Sequence, residues 1–142
     1  MQISPYRASD MHELMIQPAQ AAMRPLLLAN GYPEALEPLE SFTGRIDGRV
    51  VACAGFFTLW EGNVRGWALI AGDIGPIGML ALHRAVRRAI DASPVRRIEV
   101  EVDTQFPQAH RWVKMLGGFE WEGTMRKYSP EGRDTDRYAR VR

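Results

Sequence analysis

The chain has 142 residues, of which 46% are hydrophobic and 25% are charged, and its formal net charge at pH 7 is +1. This composition predicts one globular domain over residues 1–142, and the near-neutral charge excludes a broad electrostatic attraction to nucleic acid. Cys53 is the single cysteine, so no internal disulfide can form, and no apolar run is long enough to span a membrane. The first residues also lack the basic and apolar runs of a signal peptide, so we expect a cytoplasmic protein without nucleic acid or a membrane as partner.

The first forty residues predict a strand followed by two helical stretches. Residues 2–6 favour a short strand, and Ser9 or Asp10 is expected to cap the helix that follows it. A second helical stretch is predicted at residues 19–29, with a kink or break at Pro25. It should end at the turn-forming sequence of residues 30–33.

Residues 41–70 predict an antiparallel meander of three strands. Asp47 and Gly48 lie between the first two extended runs and supply the positive φ angles of a tight hairpin turn. A second turn at residues 61–63 leads into the third strand.

The sequence AGDIGPIGMLALHRAVRRAID, at residues 71–91, predicts a glycine-containing turn followed by a long helix. The helix should cover residues 76–92. Its apolar face consists of Met79, Leu82, Val86 and Ile90. Arg84, Arg87 and Arg88 cluster within about one turn outside that face, as a solvated surface or as a contact for an anionic partner.

The C-terminal third predicts one alternating strand, a short helix and a final pair of strands. The last ten residues are expected to form either a frayed tail or an edge strand. Glu99 and Glu101 share the polar face of the alternating strand, about 7 Å apart. Paired carboxylates of this kind can serve as a general base, but a solvated strand face is the simpler expectation. Together, the elements predict an α/β (α+β) fold with one mixed sheet of about six to seven strands and about four helices.

The other chemistry-bearing residues point to no catalytic group. The histidines are not at ligand spacing, so no metal site is expected, and Cys53 is expected to be a small core residue. The remaining polar candidates are His12, His83, His110, Arg111 and Glu61. The four tryptophans are expected to lie mostly in the core, with one at a sheet edge suited to an interface; they are Trp60, Trp67, Trp112 and Trp121.

Two sequence stretches resemble the Gcn5-related N-acetyltransferase (GNAT) superfamily. AHRWVKMLGGFEWEGTMRKY looks like the family's fourth helix, its Leu-Gly-Phe turn and the next strand, and residues 67–91 look like its strand, glycine-rich turn and third helix. The phrases HRWVKMLGGF, EGTMRKYSPEG and YARVR are most similar to short GNAT-like proteins of phages and prophages. The resemblance implies a GNAT-like fold and the transfer of an acetyl group from acetyl-CoA to a primary amine.

The resemblance also implies the position of the cofactor. In the family, the pantetheine lies along the fourth strand and the pyrophosphate lies on backbone N–H groups at the start of the third helix, where unpaired donors and a partial positive charge favour anions. The implied cofactor-binding residues are Leu69, Ile70, Ala71, Gly75, Ile77 and Gly78. The arginines of the helix would then be candidates for the 3′-phosphate of CoA.

The predicted pyrophosphate loop departs from the family pattern. Gly72, Gly75 and Gly78 are spaced by three residues, so the usual Gly-x-Gly/Ala core is missing. Asp73 lies where the family has arginine or glutamine, and its carboxylate would repel a pyrophosphate. Pro76 lacks an N–H and removes one donor, although proline suits the first position of a helix. A plain turn that starts a helix is the alternative interpretation.

The expected acid catalyst is also missing. Val113 lies where many members of the family have a tyrosine that protonates the leaving thiolate, and Phe106 replaces a frequent asparagine, so the catalytic residues are left unassigned. Two functions follow: an acetyl-CoA-dependent N-acyltransferase acting on a small-molecule or protein amine, or a non-catalytic phage or prophage virion protein. The second would make the protein virion-associated, with phage structural proteins as partners, and a homo-oligomer is compatible with both.

Overall fold

The structure, a computed structural model, describes residues 1–142 and consists of a seven-stranded sheet with five α-helices. The strands are β1 (Gln2–Pro5), β2 (Glu40–Ile46), β3 (Arg49–Trp60), β4 (Asn63–Ile70), β5 (Arg97–Asp103), β6 (Phe119–Met125) and β7 (Thr135–Val141). The helices are α1 (Ala8–Glu13), α2 (Arg24–Leu27), α3 (Tyr32–Ala35), α4 (Gly75–Ala92) and α5 (Pro107–Leu116), with a 3₁₀ helix at Pro18–Met23. None of the helices is long and apolar enough to cross a membrane.

The strand order is β1-β2-β3-β4-β5-β7-β6. β4 and β5 pair in parallel, whereas the pairs β1–β2, β2–β3, β5–β7 and β6–β7 are antiparallel. A parallel pair needs a long connection, and α4 supplies it between β4 and β5. The predicted α/β class with a mixed central sheet is therefore confirmed.

Residue contacts divide the chain into two compact units. One consists of Met1–Phe57 with Trp67–Arg88, and the other of Thr58–Gly66 with Ala89–Arg142. The expectation of a single domain over residues 1–142 stays a prediction.

The core of the first unit is built from α1, β3 and the end of β4. Met11 and Leu14 of α1 are fully buried, as are Val51 and Cys53 of β3. Val51 and Cys53 are two residues apart in β3 and therefore lie on the same face, against which Met11 and Leu14 of α1 pack. The hairpin before β3 forms as predicted, with φ of 49° at Asp47 and 77° at Gly48.

The start of the first helix differs from the prediction. Arg7, and not Ser9 or Asp10, is the N-cap, and Asp10 is the third residue of α1. Its carboxylate accepts the Arg7 backbone N–H at 3.0 Å and the Thr43 hydroxyl at 2.7 Å. Asp10 therefore stabilises the helix start from within the first turn and joins it to β2.

The helix predicted at residues 19–29 is interrupted. A 3₁₀ helix begins at Pro18 and α2 begins at Arg24, with Pro25 in its first turn. The break expected at Pro25 is therefore confirmed, since each proline lacks the N–H that a continuous helix would need and lies at the start of a separate short segment. Residues 30–33 lead into α3, whose N-cap Gly31 has a φ of 71°.

In the second unit, the last ten residues are neither a frayed tail nor an edge strand. β7 lies between β5 and β6, and Tyr138 and Ala139 are buried. Arg140 is also buried, because its guanidinium donates to the carbonyls of Ile90 at 2.8 Å and Val95 at 2.7 Å. A sequence pattern counts this arginine as exposed, whereas carbonyls at and just after the end of α4 accept its hydrogen bonds in the buried position.

Candidate functional site

The six residues that the family resemblance assigns to a cofactor lie at the end of β4 and the start of α4, in the first unit. Leu69 and Ile70 of β4 are buried, as is Ala71 directly after it. In the first turn of α4, Gly75 and Ile77 are exposed and Gly78 is buried. The sequence therefore places a strand end and a helix start in the order that the resemblance implies.

The glycines of this loop have different roles. Gly75 has a φ of 71°, and a Cβ added there would meet nothing within 4 Å, so the space beside the first turn of α4 is open. At Gly78 a Cβ would lie 2.8 Å from both Ile46 Cδ1 and Ile74 Cγ1. Gly78 thus allows α4 to pack closely, and Gly75 leaves access to first-turn N–H groups that have no acceptor within the helix. Pro76 contributes no such group.

Asp73 has a partner that the sequence did not reveal. Its carboxylate forms an ion pair with the guanidinium of Arg49, and both side chains are at least half exposed. Arg49 is the first residue of β3, directly after the hairpin turn, and lies 24 residues from Asp73 in the chain. A cation therefore lies at the loop, and it offsets the carboxylate that was predicted to repel a pyrophosphate.

The backbone of β4 that the resemblance assigns to pantetheine is engaged by the chain itself. The Ile70 N–H donates to Gln20 Oε1 at 3.3 Å, and the Ala68 carbonyl accepts from Gln20 Nε2 at 3.0 Å. The Ile70 carbonyl accepts the backbone N–H of Gln17 at 2.9 Å. CoA thus fits the open start of α4 at its pyrophosphate end, whereas Gln17 and Gln20 occupy the strand groups that its pantetheine arm would use.

Glu99, in the second unit, lies in a buried ion-pair network and not on a solvated face. Only 4% of its surface is exposed. Arg65 Nη2 and Arg97 Nε each lie 3.0 Å from one of its carboxylate oxygens. Burial acts to raise the pKa of Glu99, but the hydrogen bonds from the two arginines outweigh it, and the pKa lies below its ordinary value.

Glu101 is paired in the same way. Its carboxylate lies 3.0 Å from Arg65 Nη2 and 3.0 Å from Arg137 Nη2. The expectation of a solvated face was wrong for this pair because neighbouring strands bring arginines to the same face, which β5 alone does not reveal. Both carboxylates are therefore committed to ion pairs.

His110 connects α5 to β5 and β7. Its Nε2 lies 3.0 Å from the Asp103 carbonyl and its Nδ1 lies 2.8 Å from the Tyr138 hydroxyl. Because a carbonyl only accepts, Nε2 carries a hydrogen; in the neutral imidazole Nδ1 then accepts from the Tyr138 hydroxyl. Burial raises the pKa of Tyr138, so this tyrosine keeps its proton as a structural donor.

The remaining sequence candidates are dispersed. His12, Glu61 and Arg111 are exposed, as are Arg84, Arg87 and Arg88, and His83 is half-buried. Trp67 and Trp112 are half-buried, whereas Trp60 and Trp121 are 62% and 60% exposed. Trp121 lies in the edge strand β6, where the sequence allowed an exposed tryptophan, so the prediction of a core position was wrong for Trp60. Val113 is buried and Phe106 half-buried. Cys53 is a core residue as predicted, and burial raises the pKa of its thiol to about 12.

We expect Glu99→Gln to lower the free energy of unfolding at pH 7 by about 2 kcal/mol, because a buried acceptor of two charged hydrogen bonds loses its charge. A glutamate in the unfolded chain has a pKa of about 4.3, and the pKa of Glu99 in the folded protein lies below its unfolded value. The ion pairs therefore stabilise the fold above that pH, and their contribution is lost as the pH falls through the folded pKa. Urea unfolding at pH 7 and at lower pH should show the difference between wild type and variant shrinking with acid.

The matched control is Glu120→Gln, which changes an exposed carboxylate of β6. It should alter stability by less than about 0.5 kcal/mol at either pH. A Glu99→Gln variant as stable as wild type at pH 7 would contradict the stabilising role of the network.

Comparison with solved structures identifies the fold. Ard1 from Thermoplasma volcanium matches with a TM-score of 0.76 at 18% identity, over 99% of this chain and 96% of that one. An acetyltransferase of the GNAT family from Bacillus anthracis matches with a TM-score of 0.73 at 14% identity, over 98% and 93%. The ribosomal-protein-alanine N-acetyltransferase from Brucella melitensis matches with 0.70 at 15% identity, over 100% of both chains.

The comparisons by sequence give no relative. No protein-family model matches the chain, and no curated protein matches it. At the identities above, the structural likeness concerns the fold alone. The chain has the fold of GNAT-family acetyltransferases over its whole length.

Proposed function

We propose that the protein is an N-acetyltransferase that transfers the acetyl group of acetyl-CoA to a primary amine. The observation that carries this proposal is the open first turn of α4 shortly after β4, in a fold shared along its length with acetyltransferases. A helix start with free N–H groups and an unobstructed glycine suits a pyrophosphate. Fold alone hosts many functions, so the proposal depends on this local geometry.

The proposed cofactor site combines the loop and a cation from β3. The first-turn N–H groups at Gly75, Ile77 and Gly78 would hold the pyrophosphate, with Arg49 as an added charge. Leu69, Ile70 and Ala71 would line the pantetheine, and the exposed arginines of α4 are candidates for the 3′-phosphate. With Pro76 and Asp73 in it, the loop is a degenerate form of the family's cradle.

The proposed reaction is direct attack of a neutral amine on the thioester carbonyl. The C–N bond forms, the C–S bond breaks, one amine proton passes to water, and water protonates the leaving thiolate. Water acts as both the proton acceptor and the proton donor, because Glu99 and Glu101 are held in ion pairs and the Val113 side chain has no acidic group. The acceptor is a primary amine of a small molecule or a protein, and we place the reaction in the cytoplasm.

A second candidate is a non-catalytic protein with the same fold, such as the phage or prophage virion protein that the sequence resemblance suggests. The observation in its favour is the engaged β4 backbone, where Gln20 bonds Ala68 and Ile70. Such a protein would have the same sheet as the acetyltransferases but would not bind CoA. CoA binding separates the two candidates.

We expect acetyl-CoA to bind with a heat measurable by isothermal titration and to raise the free energy of unfolding by about 2.7 kcal/mol at 100 times its Kd. With a polyamine or an N-terminal peptide as acceptor, release of free CoA thiol should follow. Ile77→Glu, which puts a carboxylate into the exposed first turn of α4, should weaken binding several-fold by repulsion without harm to the helix.

The control is Gln108→Glu, which makes the same change in the exposed first turn of α5. It should leave the Kd unchanged. No binding of acetyl-CoA at millimolar concentration, either by the wild-type protein or by a Gln20→Ala variant in which the β4 backbone is released, would reject the acetyltransferase in favour of the second candidate.

We expect Asp73→Asn to tighten CoA binding by about two- to fivefold, the range of an exposed charge pair, because it releases Arg49 from its ion pair. Arg49→Ala should weaken binding by a similar factor. Both effects should shrink at high salt, where exposed charges are screened. Calorimetric Kd values at two salt concentrations test this, with Glu131→Gln as an exposed-carboxylate control; a Kd that neither variant changes would exclude Arg49 from the site.

A further inference from the structure

One edge of β4 has a partner strand over only part of its length. The pairing with β5 ends at Arg65. Backbone groups of successive residues face opposite edges of a strand. Ala71 donates its N–H to Val51 of β3 at 2.8 Å, so the polar groups of Ala68 and Ile70 face the edge away from β3.

Those groups are bonded by residues 15–20, which we call the glutamine clip. The Gln20 carboxamide donates to the Ala68 carbonyl at 3.0 Å and accepts the Ile70 N–H at 3.3 Å. Gln17 Nε2 donates to Gln20 Oε1 at 2.9 Å and so orients that carboxamide. One side-chain amide thus bonds the two backbone groups that a neighbouring strand would use.

The backbone of the clip continues the pairing past the end of β4. Ile16 and Ala71 form an antiparallel bridge, flanked by hydrogen bonds from Gln17 N–H to the Ile70 carbonyl at 2.9 Å and from Gly72 N–H to the Met15 carbonyl at 3.1 Å. The approach is close, because a Cβ at Gly72 would lie 3.4 Å from the Gln17 Cα.

Little apolar burial holds the clip in place. The 3₁₀ helix Pro18–Met23 contains no buried residue, and the Met15 side chain is 69% exposed. Ile16 is the residue of the clip that packs, partly buried, against the core of the first unit. Hydrogen bonds therefore supply most of the attachment, and a ligand with the same donors and acceptors can replace them.

We propose that the glutamine clip is a built-in competitor of the cofactor, so that CoA binds β4 only after the clip is released. This rests on the proposed function, since it takes CoA as the ligand. The pantetheine arm carries two amides, each with one donor and one acceptor, which match the groups now bonded by Gln17 and Gln20. The apparent affinity for CoA then equals the intrinsic affinity multiplied by the fraction of molecules in which the clip is open.

Replacing Gln20 tests the competition directly. In Gln20→Ala the Ala68 carbonyl and the Ile70 N–H lose their partner and become available to a ligand. We expect the calorimetric Kd of CoA to fall by about three- to tenfold, the factor that one or two hydrogen bonds supply. Gln108→Ala, which removes an exposed glutamine of α5, should leave the Kd unchanged. In wild type, CoA should speed hydrogen exchange in residues 15–20 and slow it at Ile70.

Locking the clip gives the opposite test. Ile16→Cys combined with Ala71→Cys places two thiols opposite each other in the antiparallel bridge. The two residues do not hydrogen-bond each other, and in such a pair the Cα atoms are about 4.5 Å apart, a distance that a disulfide can span. Cys53 is fully buried and does not interfere. The oxidised double variant should bind CoA at least about tenfold more weakly than its own reduced form, and a reductant should restore binding.

The outcomes separate this inference from the function on which it rests. Equal Kd values for wild type, Gln20→Ala and both redox forms of the double variant would overturn the competition and leave CoA binding intact. Absence of CoA binding in all of them, Gln20→Ala included, would overturn the proposed function and the competition together.

Discussion

The first unit depends on how the backbone polar groups at the end of β4 find partners. A buried N–H or C=O without a partner costs about 1–3 kcal/mol, so both edges of the strand must be covered. β3 covers one edge through Val51, and the glutamine clip covers the other through Gln17 and Gln20. This requirement gives a defined position to a proline-containing segment that buries almost no apolar surface.

In the proposed site, the same backbone groups of β4 would serve both stability and ligand recognition. Ala68 and Ile70 present backbone groups that suit any extended molecule with amides, and an exposed strand edge of this kind is a liability for association with other chains. A clip made of side-chain amides protects the edge without adding a permanent strand. The glutamines are therefore suited to a reversible cover, since their contacts are replaced one for one by those of a ligand.

Local signals in the sequence were enough for most of the fold. The Asp47–Gly48 turn and the helical periodicity of α4 depend on neighbouring residues, and both appear as predicted. The strand β5 also forms, but its polar face is not exposed, because Glu99 is buried. The break at Pro25 was predictable from the proline alone. The strand β7 was predicted, but its interior position was not, because Arg140 is buried against carbonyls and Arg137 is half-buried against a carboxylate.

The candidate site was predictable only in part. The strand end and the glycines could be located, since they are contiguous in the chain. Arg49 and Gln20 could not, because their contacts join residues 24 and 50 positions apart. Nor does spacing reveal that Gly78 serves packing while Gly75 leaves open space, a difference that depends on Ile46 in a distant strand.

In the proposed site, the glutamine clip and the residues of the loop both weaken the binding of CoA. An intramolecular clip competes at an effective concentration on the order of millimolar, so its hydrogen bonds with β4 cancel much of what pantetheine gains there. Most of the net free energy of CoA binding must then come from contacts of its phosphates with the start of α4. At that point Pro76 withholds a donor and Asp73 occupies the nearby cation, Arg49. The clip on the edge of β4 and the weak phosphate site together would raise the Kd of CoA, so the site would fill only at high CoA concentration.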